Sequence, residues 1–437
     1  MKRILIIAAI ISIFNFQLST AQDTNYMRQV LRKLSSNEFH GRGYSFRGDS
    51  IAAEYIRGEL RRLKVKPLTD DYFQPYTFST FSMEGPLSFM VNGVKLQPYT
   101  QFRVPAWSKS SWGDFKVLTV PAEVLIDTNA IRKFLKKNND LLQEVFVYID
   151  LSQWYYSSLG MARDILNAAK ALQKRNPFNS RGIIVAWPEL NTYSPANTGY
   201  EHGYAYIEVL SSAMPKKFKK IKCDIFTQYH KDYPTQNIYG CIPGEVDTMI
   251  VYTAHYDHLG TMGDSIVFYG AHDNGSGTAT VIDIARTTMA NAVMGDKPHY
   301  TQVFCFFSGE EAGLKGSKYA FEHPVFDFSK VKLLINIDMF CGGNEGIMVF
   351  NADVPETKPF VERLENLNKT LQIAPEIRRR ANRPNSDHYY FSQRMPAIFI
   401  LSMGQRFGGY HDPQDTCERC GLENYINYVT LIMSLAL

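Results

Sequence analysis

The segment YTAHYDHLG, residues 252 to 260, sets His255, Asp257 and His258 directly behind the apolar run Met249 to Tyr252. Imidazole and carboxylate groups in such a place can hold a divalent cation or move a proton. The same signal recurs further on. Glu310 and Glu311 follow the run QVFCFF, Asp338 closes LLINID, Asp273 lies in GAHDNGSGTA and His411 in YHDPQDT. Each has an ordinary explanation when taken singly: Asp273 as a helix cap, Glu310 and Glu311 as a first-turn acidic pair, His411 as a solvated loop residue. Taken together, two imidazoles and four carboxylates would be costly to gather and bury unless cations neutralised them. A pair of divalent ions accounts for the whole set. Mixed histidine and carboxylate ligands suit zinc, with manganese or cobalt as further candidates.

An open α/β sheet can bring such distant residues together, because the carboxyl ends of its strands share one crevice. MIVYTA (249 to 254), QVFCFF (302 to 307), LLINID (333 to 338), GIMVF (346 to 350) and PAIFIL (396 to 401) read as strands. Between the first two, Val281, Ile282, Ala285 and Met289 follow helical spacing, so a helix starts just after Asp273. The tail from about 422 reads as a further helix, and so does SIAAEYIRGELRRLKV (50 to 65), with Ala53, Ile56 and Leu60 on one face. Residues 109–232 hold the β-like VFVYID, the helix-like ARDILNAAKALQKR and the run RGIIVAW, but no metal-type cluster. They read as an insertion within a main domain made of residues 22–108 and 233–437.

With 437 residues and 45% hydrophobic content, the chain can build a large core. Its net charge of +4 is spread along the sequence and gives no support for nucleic acid or an anionic membrane as partner. At the N-terminus, Lys2 and Arg3 precede the apolar stretch Ile4 to Phe14, and Ser19 and Ala21 are the small residues of a cleavage site. Residues 1–21 therefore read as a secretory signal, which makes the protein exported, to the periplasm or beyond. Asn15 and Gln17 break the run before it is long enough to span a bilayer, and no later segment is long and apolar enough. Six cysteines in an oxidising compartment can form disulfides, in pairings that sequence cannot rank. Cys417 and Cys420 read as a local disulfide or free thiols rather than as a redox or metal motif.

The ordered run NIYGCIPG, MIVYTAHYDHLG, GAHDNGSGTA, FFSGEEAGLKGS, NIDM, NSDHYYF, MPAIFI, YHDPQDT resembles the family-28 metallopeptidases. These are co-catalytic di-zinc aminopeptidases related to glutamate carboxypeptidase and glutaminyl cyclase. The likeness covers residues 235–437 in order, and FHGRGYSFRGDSIAAEYI with YFQPYTF is similar to the family's N-terminal segment. It implies a three-layer α/β/α zinc-peptidase fold with a mixed sheet, and the insertion loosely resembles a protease-associated domain. It also implies that His255 and Asp338 bind one zinc, that Glu311 and His411 bind the other, and that Asp273 bridges the two. Glu310 would be the general base, and Asp257 would accept a hydrogen bond from the His255 imidazole. Tyr410 resembles a tyrosine that stabilises the oxyanion in some relatives, and the peptide after the bridging aspartate is often cis in the family. Ser386, Asp387 and His388 match a segment near the substrate pocket. His272, before Asp273, departs from the family's usual acidic or small residue.

The function so implied is an exported aminopeptidase acting on peptide substrates, a metallo-exopeptidase. Glutaminyl cyclase chemistry uses a related site but generally one metal, whereas this chain retains ligands for two. A metal-free scaffold relative would have lost ligands, and none of the implied set is missing here.

Overall fold

The structure, a computed structural model, describes residues 24–190, 192–193, 202–404 and 409–436. The stretch 1–21 expected to be a secretory signal lies outside the described residues. The larger of two main sheets has nine strands: β1 (Lys66–Pro67), β2 (Phe73–Ser82), β3 (Gln228–Ile242), β4 (Val246–His255), β5 (Tyr300–Phe307), β6 (Val331–Ile337), β7 (Gly346–Phe350), β8 (Ile377–Arg380) and β9 (Ala397–Met403). Their spatial order is β1-β3-β5-β4-β6-β9-β7-β8, with β2 also paired to β3. At the centre β5, β4, β6 and β9 run parallel, while β3 and β7 join them antiparallel. The sheet is mixed.

Central strands of this kind are apolar on both faces, because helices cover both. In β4, Ile250, Tyr252 and Ala254 enter the core shared with helices α1 (Thr24–Leu34), α2 (Gly48–Arg62), α3 (Gly277–Val293), α5 (Lys358–Leu371) and α6 (Tyr425–Ser434). Val251 points the other way, toward the cluster that includes Ala320 of α4 (Lys315–Glu322). The result is the three-layer α/β/α arrangement. No helix among the described residues is long and apolar enough to cross a membrane.

The second sheet has eight strands. Strands Ser111–Thr119, Val145–Asp150, Gly182–Trp187 and Ala205–Leu210 run parallel in it. The chain leaves the larger sheet along β2 and returns along β3, and these two strands pair antiparallel with an irregularity between His230 and Tyr233. Residues 83–227 are thus enclosed as an inserted unit. The expected start at 109 falls inside it, since Leu87–Val91 pairs with Lys220–Ile225, and the expected end at 232 falls within β3. One face of the inserted sheet packs on helix Gly160–Ala171. Its other face meets Leu259, Met262 and Phe268, from the loop that follows β4.

Cys341 and Cys420 form a disulfide with Cα atoms 5.3 Å apart, and Cys417 remains a buried thiol. The local Cys417 to Cys420 link is therefore not formed. The fold carries Cys420 against the loop beyond β6 instead.

Candidate metal centre

Adjacent parallel strands deliver the predicted residues to one place. His255 ends β4, Glu310 and Glu311 follow β5, and Asp338 follows β6. Asp273 arrives from the turn that opens α3. A Cβ at Gly277 would overlap the carbonyl oxygen of Ile337. The missing side chain lets the start of α3 close onto the end of β6. Asn274 fastens the junction, its amide donating to Ile337 O at 3.0 Å and its carbonyl accepting from Gly277 N at 2.9 Å. The Asp273–Asn274 peptide is cis.

His255 Nε2 lies 3.4 Å from Asp273 Oδ1 and 3.3 Å from Asp338 Oδ1. His411 Nε2 lies 3.3 Å from Asp273 Oδ2 and 3.3 Å from Glu311 Oε2. These separations are long for charge-assisted hydrogen bonds. They equal the edge of a tetrahedron with metal–ligand bonds of about 2.0–2.1 Å, which is about 3.3–3.4 Å. Each histidine nitrogen therefore faces two carboxylate oxygens at the ligand–ligand spacing that a tetrahedral zinc uses. His411 Nε2 is buried without a hydrogen-bond partner, as a metal-facing nitrogen should be.

The carboxylate oxygens are apportioned consistently. Asp338 turns Oδ1 to His255, while Oδ2 accepts from Ser386 Oγ at 2.7 Å. Glu311 turns Oε2 to His411, while Oε1 faces His258 Nδ1 at 2.7 Å. Asp273 turns one oxygen to each histidine. Glu310 lies within 4.8 Å of His255 and Asp338, and His258 lies equally near Asp273 and Glu311. His258 thus belongs to the centre, although no role follows for it from the sequence. Its signal was the second imidazole of HYDH. Because its Nδ1 is engaged with the Glu311 oxygen that turns away from His411, it serves to hold Glu311.

One expected bond goes elsewhere. His255 Nδ1 is 3.2 Å from the main-chain carbonyl of Asp257, whereas the Asp257 carboxylate is 3.7 Å away. That carboxylate instead accepts from Tyr44 Oη at 2.9 Å and from the Glu310 and Glu311 amides at 3.2 and 3.4 Å. A main-chain oxygen two residues on is the better-placed acceptor, and the carboxylate orders the tandem glutamates. Tyr410 is 50% exposed, with its ring stacked on His411 at 3.9 Å. Asp387 and His388 are buried behind the ligands, and His388 Nε2 pairs with Asn382 Oδ1 at 3.0 Å. His272 is buried beside the disulfide, 3.6 Å from Cys341 Sγ, and burial pushes its imidazole down to about 4.

The electrostatics favour positive charge at this place. Burial opposes charge on both His255 and His411, yet the carboxylates overcome it. Asp338 and Glu310 hold His255 well above the usual range, and Glu311 with Asp273 pushes His411 up to about 11. Asp273 is held well below the carboxylate range by His255 and His411 despite its burial. Burial raises Glu310, reinforced by Glu311, Asp387 and Asp338 and opposed by His255.

Arg42, from the FHGRGYSF segment, also belongs here. It is fully buried and donates to the carbonyls of Tyr256, Leu34, Tyr269, Gly270 and Asp273. Asp415 accepts from His272 N at 2.7 Å and Asp273 N at 3.1 Å, fixing the same turn.

A parallel-centred α/β sheet with histidines and carboxylates paired at its strand ends defines a metallohydrolase type of site. Residues 237–436 match the profile of Peptidase family M28. A probable leucine aminopeptidase of Arthroderma otae is 26% identical over 255 residues, 56% of this chain and 68% of that protein. The crystal structure of a Peptidase M28 precursor from Shewanella amazonensis aligns with a TM-score of 0.64 at 18% identity, covering 97% of this chain and 95% of that one. A zinc aminopeptidase from Bacillus subtilis aligns with a TM-score of 0.64 at 16% identity, covering 94% and 93%. These two likenesses establish the fold, with the inserted unit included.

Proposed function

We propose that the protein is an exported zinc aminopeptidase that removes N-terminal residues from peptides, with residues of one bridged centre holding two ions. The observation that carries this is the position of Asp273, whose two carboxylate oxygens face two different histidines at 3.4 and 3.3 Å. The match to the Peptidase family M28 profile and the likeness to leucine aminopeptidases and zinc aminopeptidases support the substrate class. His255, Asp338 and Asp273 would hold one ion, and His411, Glu311 and Asp273 the other. Bound there, the ions supply Lewis acidity toward a peptide carbonyl and lower the pKa of water. Glu310, beside His255 and Asp338 but bonded to neither, takes the proton from the attacking water and returns it to the departing amine. The Tyr410 hydroxyl, on a ring packed against His411, donates to the developing oxyanion. The Asp257 carboxylate orders the tandem glutamates by accepting from both of their amides.

The test uses purified mature protein with aminoacyl-nitroanilides and their N-acetylated counterparts, before and after chelation and zinc restoration. Zinc-restored cleavage of the free-amine substrates alone is the expected outcome. Glu310→Gln should keep both ions while turnover falls by about 10²- to 10⁴-fold. Retained turnover in that variant would remove Glu310 as the base.

A further inference from the structure

One of the metal-facing histidines is held by the inserted unit. His411 belongs to the peptidase part, on the chain beyond β9, yet its Nδ1 lies 3.2 Å from the main-chain carbonyl of Tyr193. Tyr193 stands in the inserted unit, between strands Gly182–Trp187 and Ala205–Leu210. Its side chain is anchored at both ends. The ring is buried and stacks on Phe268 at 4.8 Å with planes 8° apart, and the hydroxyl donates to Val104 O at 3.1 Å. A second bond lies next door: Tyr99 of the inserted unit donates its hydroxyl to Asp412 Oδ2 at 2.5 Å. Tyr99 meets Phe268 edge-on at 5.7 Å, and Arg103 covers its other side, guanidinium 4.1 Å from the ring centre. The other trio is held differently. His255 Nδ1 faces the Asp257 carbonyl and Asp338 accepts from Ser386, both within the peptidase part.

A carbonyl oxygen can only accept, so the contact with Tyr193 requires the proton of a neutral His411 ring on Nδ1. That leaves the lone pair on Nε2, the nitrogen aimed at Asp273 and Glu311. Acceptors of this kind fix the tautomer and rotation of a ligating imidazole, and their loss commonly costs tenfold or more in metal affinity. We infer that the inserted unit completes the site formed by His411, Glu311 and Asp273, with Tyr193 and Tyr99 as positioning residues for His411. The inference rests on the two-ion proposal above. It makes the insertion a component of the centre rather than a cover for it. Displacing the insertion would release one ion and leave the other.

The test compares Tyr193→Ala, Tyr193→Phe and Tyr99→Phe in the full mature chain, with circular dichroism as the check on folding. Zinc is titrated calorimetrically into chelated protein, and the visible spectrum is recorded with cobalt in its place. Tyr193→Ala should bind the first ion as the unaltered protein does, bind the second at least about tenfold more weakly, and lose the cobalt absorption of that site. Tyr193→Phe keeps the stacked ring and should stay within about threefold, while Tyr99→Phe should weaken the second ion by about three- to tenfold. Unaltered second-ion affinity and spectrum in folded Tyr193→Ala would overturn the inference. Should that variant fail to fold, unaltered values in Tyr99→Phe would overturn it. His411→Ala serves as the control. If it retains both ions, or if the unaltered protein binds only one, the two-ion proposal fails instead.

Discussion

Arg42 offers the sharpest test of how the centre is built. Its guanidinium is wholly buried and donates to Tyr256 O at 2.8 Å, Leu34 O at 2.9 Å, Tyr269 O at 2.7 Å, Gly270 O at 2.5 Å and, more weakly, Asp273 O at 3.4 Å. Five acceptors from three separate segments of the chain thus depend on one planar fork. Arg42→Met fills much of the same space and leaves the carbonyls without a donor. Each hydrogen bond to a charged group is worth about 1.5–3 kcal/mol, so the four short ones amount to about 6–12 kcal/mol. Against this, the variant no longer buries a guanidinium, which relieves several kcal/mol. Burial already pulls the Arg42 pKa down to about 10, so that relief is real. The remainder is a destabilisation of about 3–5 kcal/mol, a large part of an ordinary domain's stability. Arg42→Lys should fall between, because three donors on a compact ammonium cannot span five carbonyls. The assay is urea unfolding with chelator present, so that bound metal adds nothing to either protein. A loss under about 1 kcal/mol for Arg42→Met would refute the reasoning and make Arg42 a packing residue only.

Three further predictions concern the metal-facing groups. Asp273→Asn should lose both ions together at micromolar zinc, since the side chain serves both trios; loss of a single ion, measured by metal analysis after gel filtration, would contradict a bridging role. Ser386→Ala frees Asp338 Oδ2, and calorimetry should show the ion shared by His255 and Asp338 bound about tenfold more weakly or worse, with unchanged affinity counting against it. Chelated protein should lose stability as pH rises from about 5 to 9. His411 has a folded pKa of about 11, above its unfolded value of 6.5, so its contribution is complete below 6.5 and is lost on the way to 11, and His255 shifts the same way. Burial pushes Asp387 and Asp415 up to about 7, which adds to the loss. A melting temperature that climbed over this range in chelator would sink the argument.

The strand ends were legible because central parallel strands are continuous apolar runs, and chemistry-bearing residues at their carboxyl ends stand out against them. Helix α3 was legible from the spacing of Val281, Ile282, Ala285 and Met289. Features set by long-range pairing were not. The start of the inserted unit lay hidden because Leu87–Val91 finds its partner at Lys220–Ile225, and nothing local in either strand names the other. The same applies to Cys420, whose partner Cys341 lies 79 residues away while Cys417 lies close by in sequence. Main-chain acceptors leave no sequence trace at all. Hence the turn of His255 toward the Asp257 carbonyl, the five carbonyls around Arg42 and the Tyr193 carbonyl behind His411 emerge only from the fold.

These unseen groups explain how so acidic a site can exist. Asp257, Asp273, Glu310, Glu311, Asp338, Asp387 and Asp415 crowd one region around few buried positive groups, chiefly Arg42 and three histidines. Main-chain amides give two of the acids, Asp257 and Asp415, a pair of donors each. Among the described residues, the carboxylate oxygens facing His255 and His411 receive no such donors, which would compete with a cation. On the two-ion proposal, the positive charge they need in chelated protein comes from protons on the same imidazoles that would bind a cation. Metal and proton therefore compete for the same two nitrogens, and zinc uptake near neutral pH should release protons to the buffer. Calorimetric titrations in buffers of different ionisation enthalpy measure that release. Close to one proton per ion fits this account, whereas no release would mean that the histidines are already neutral and that the acids find their compensation elsewhere.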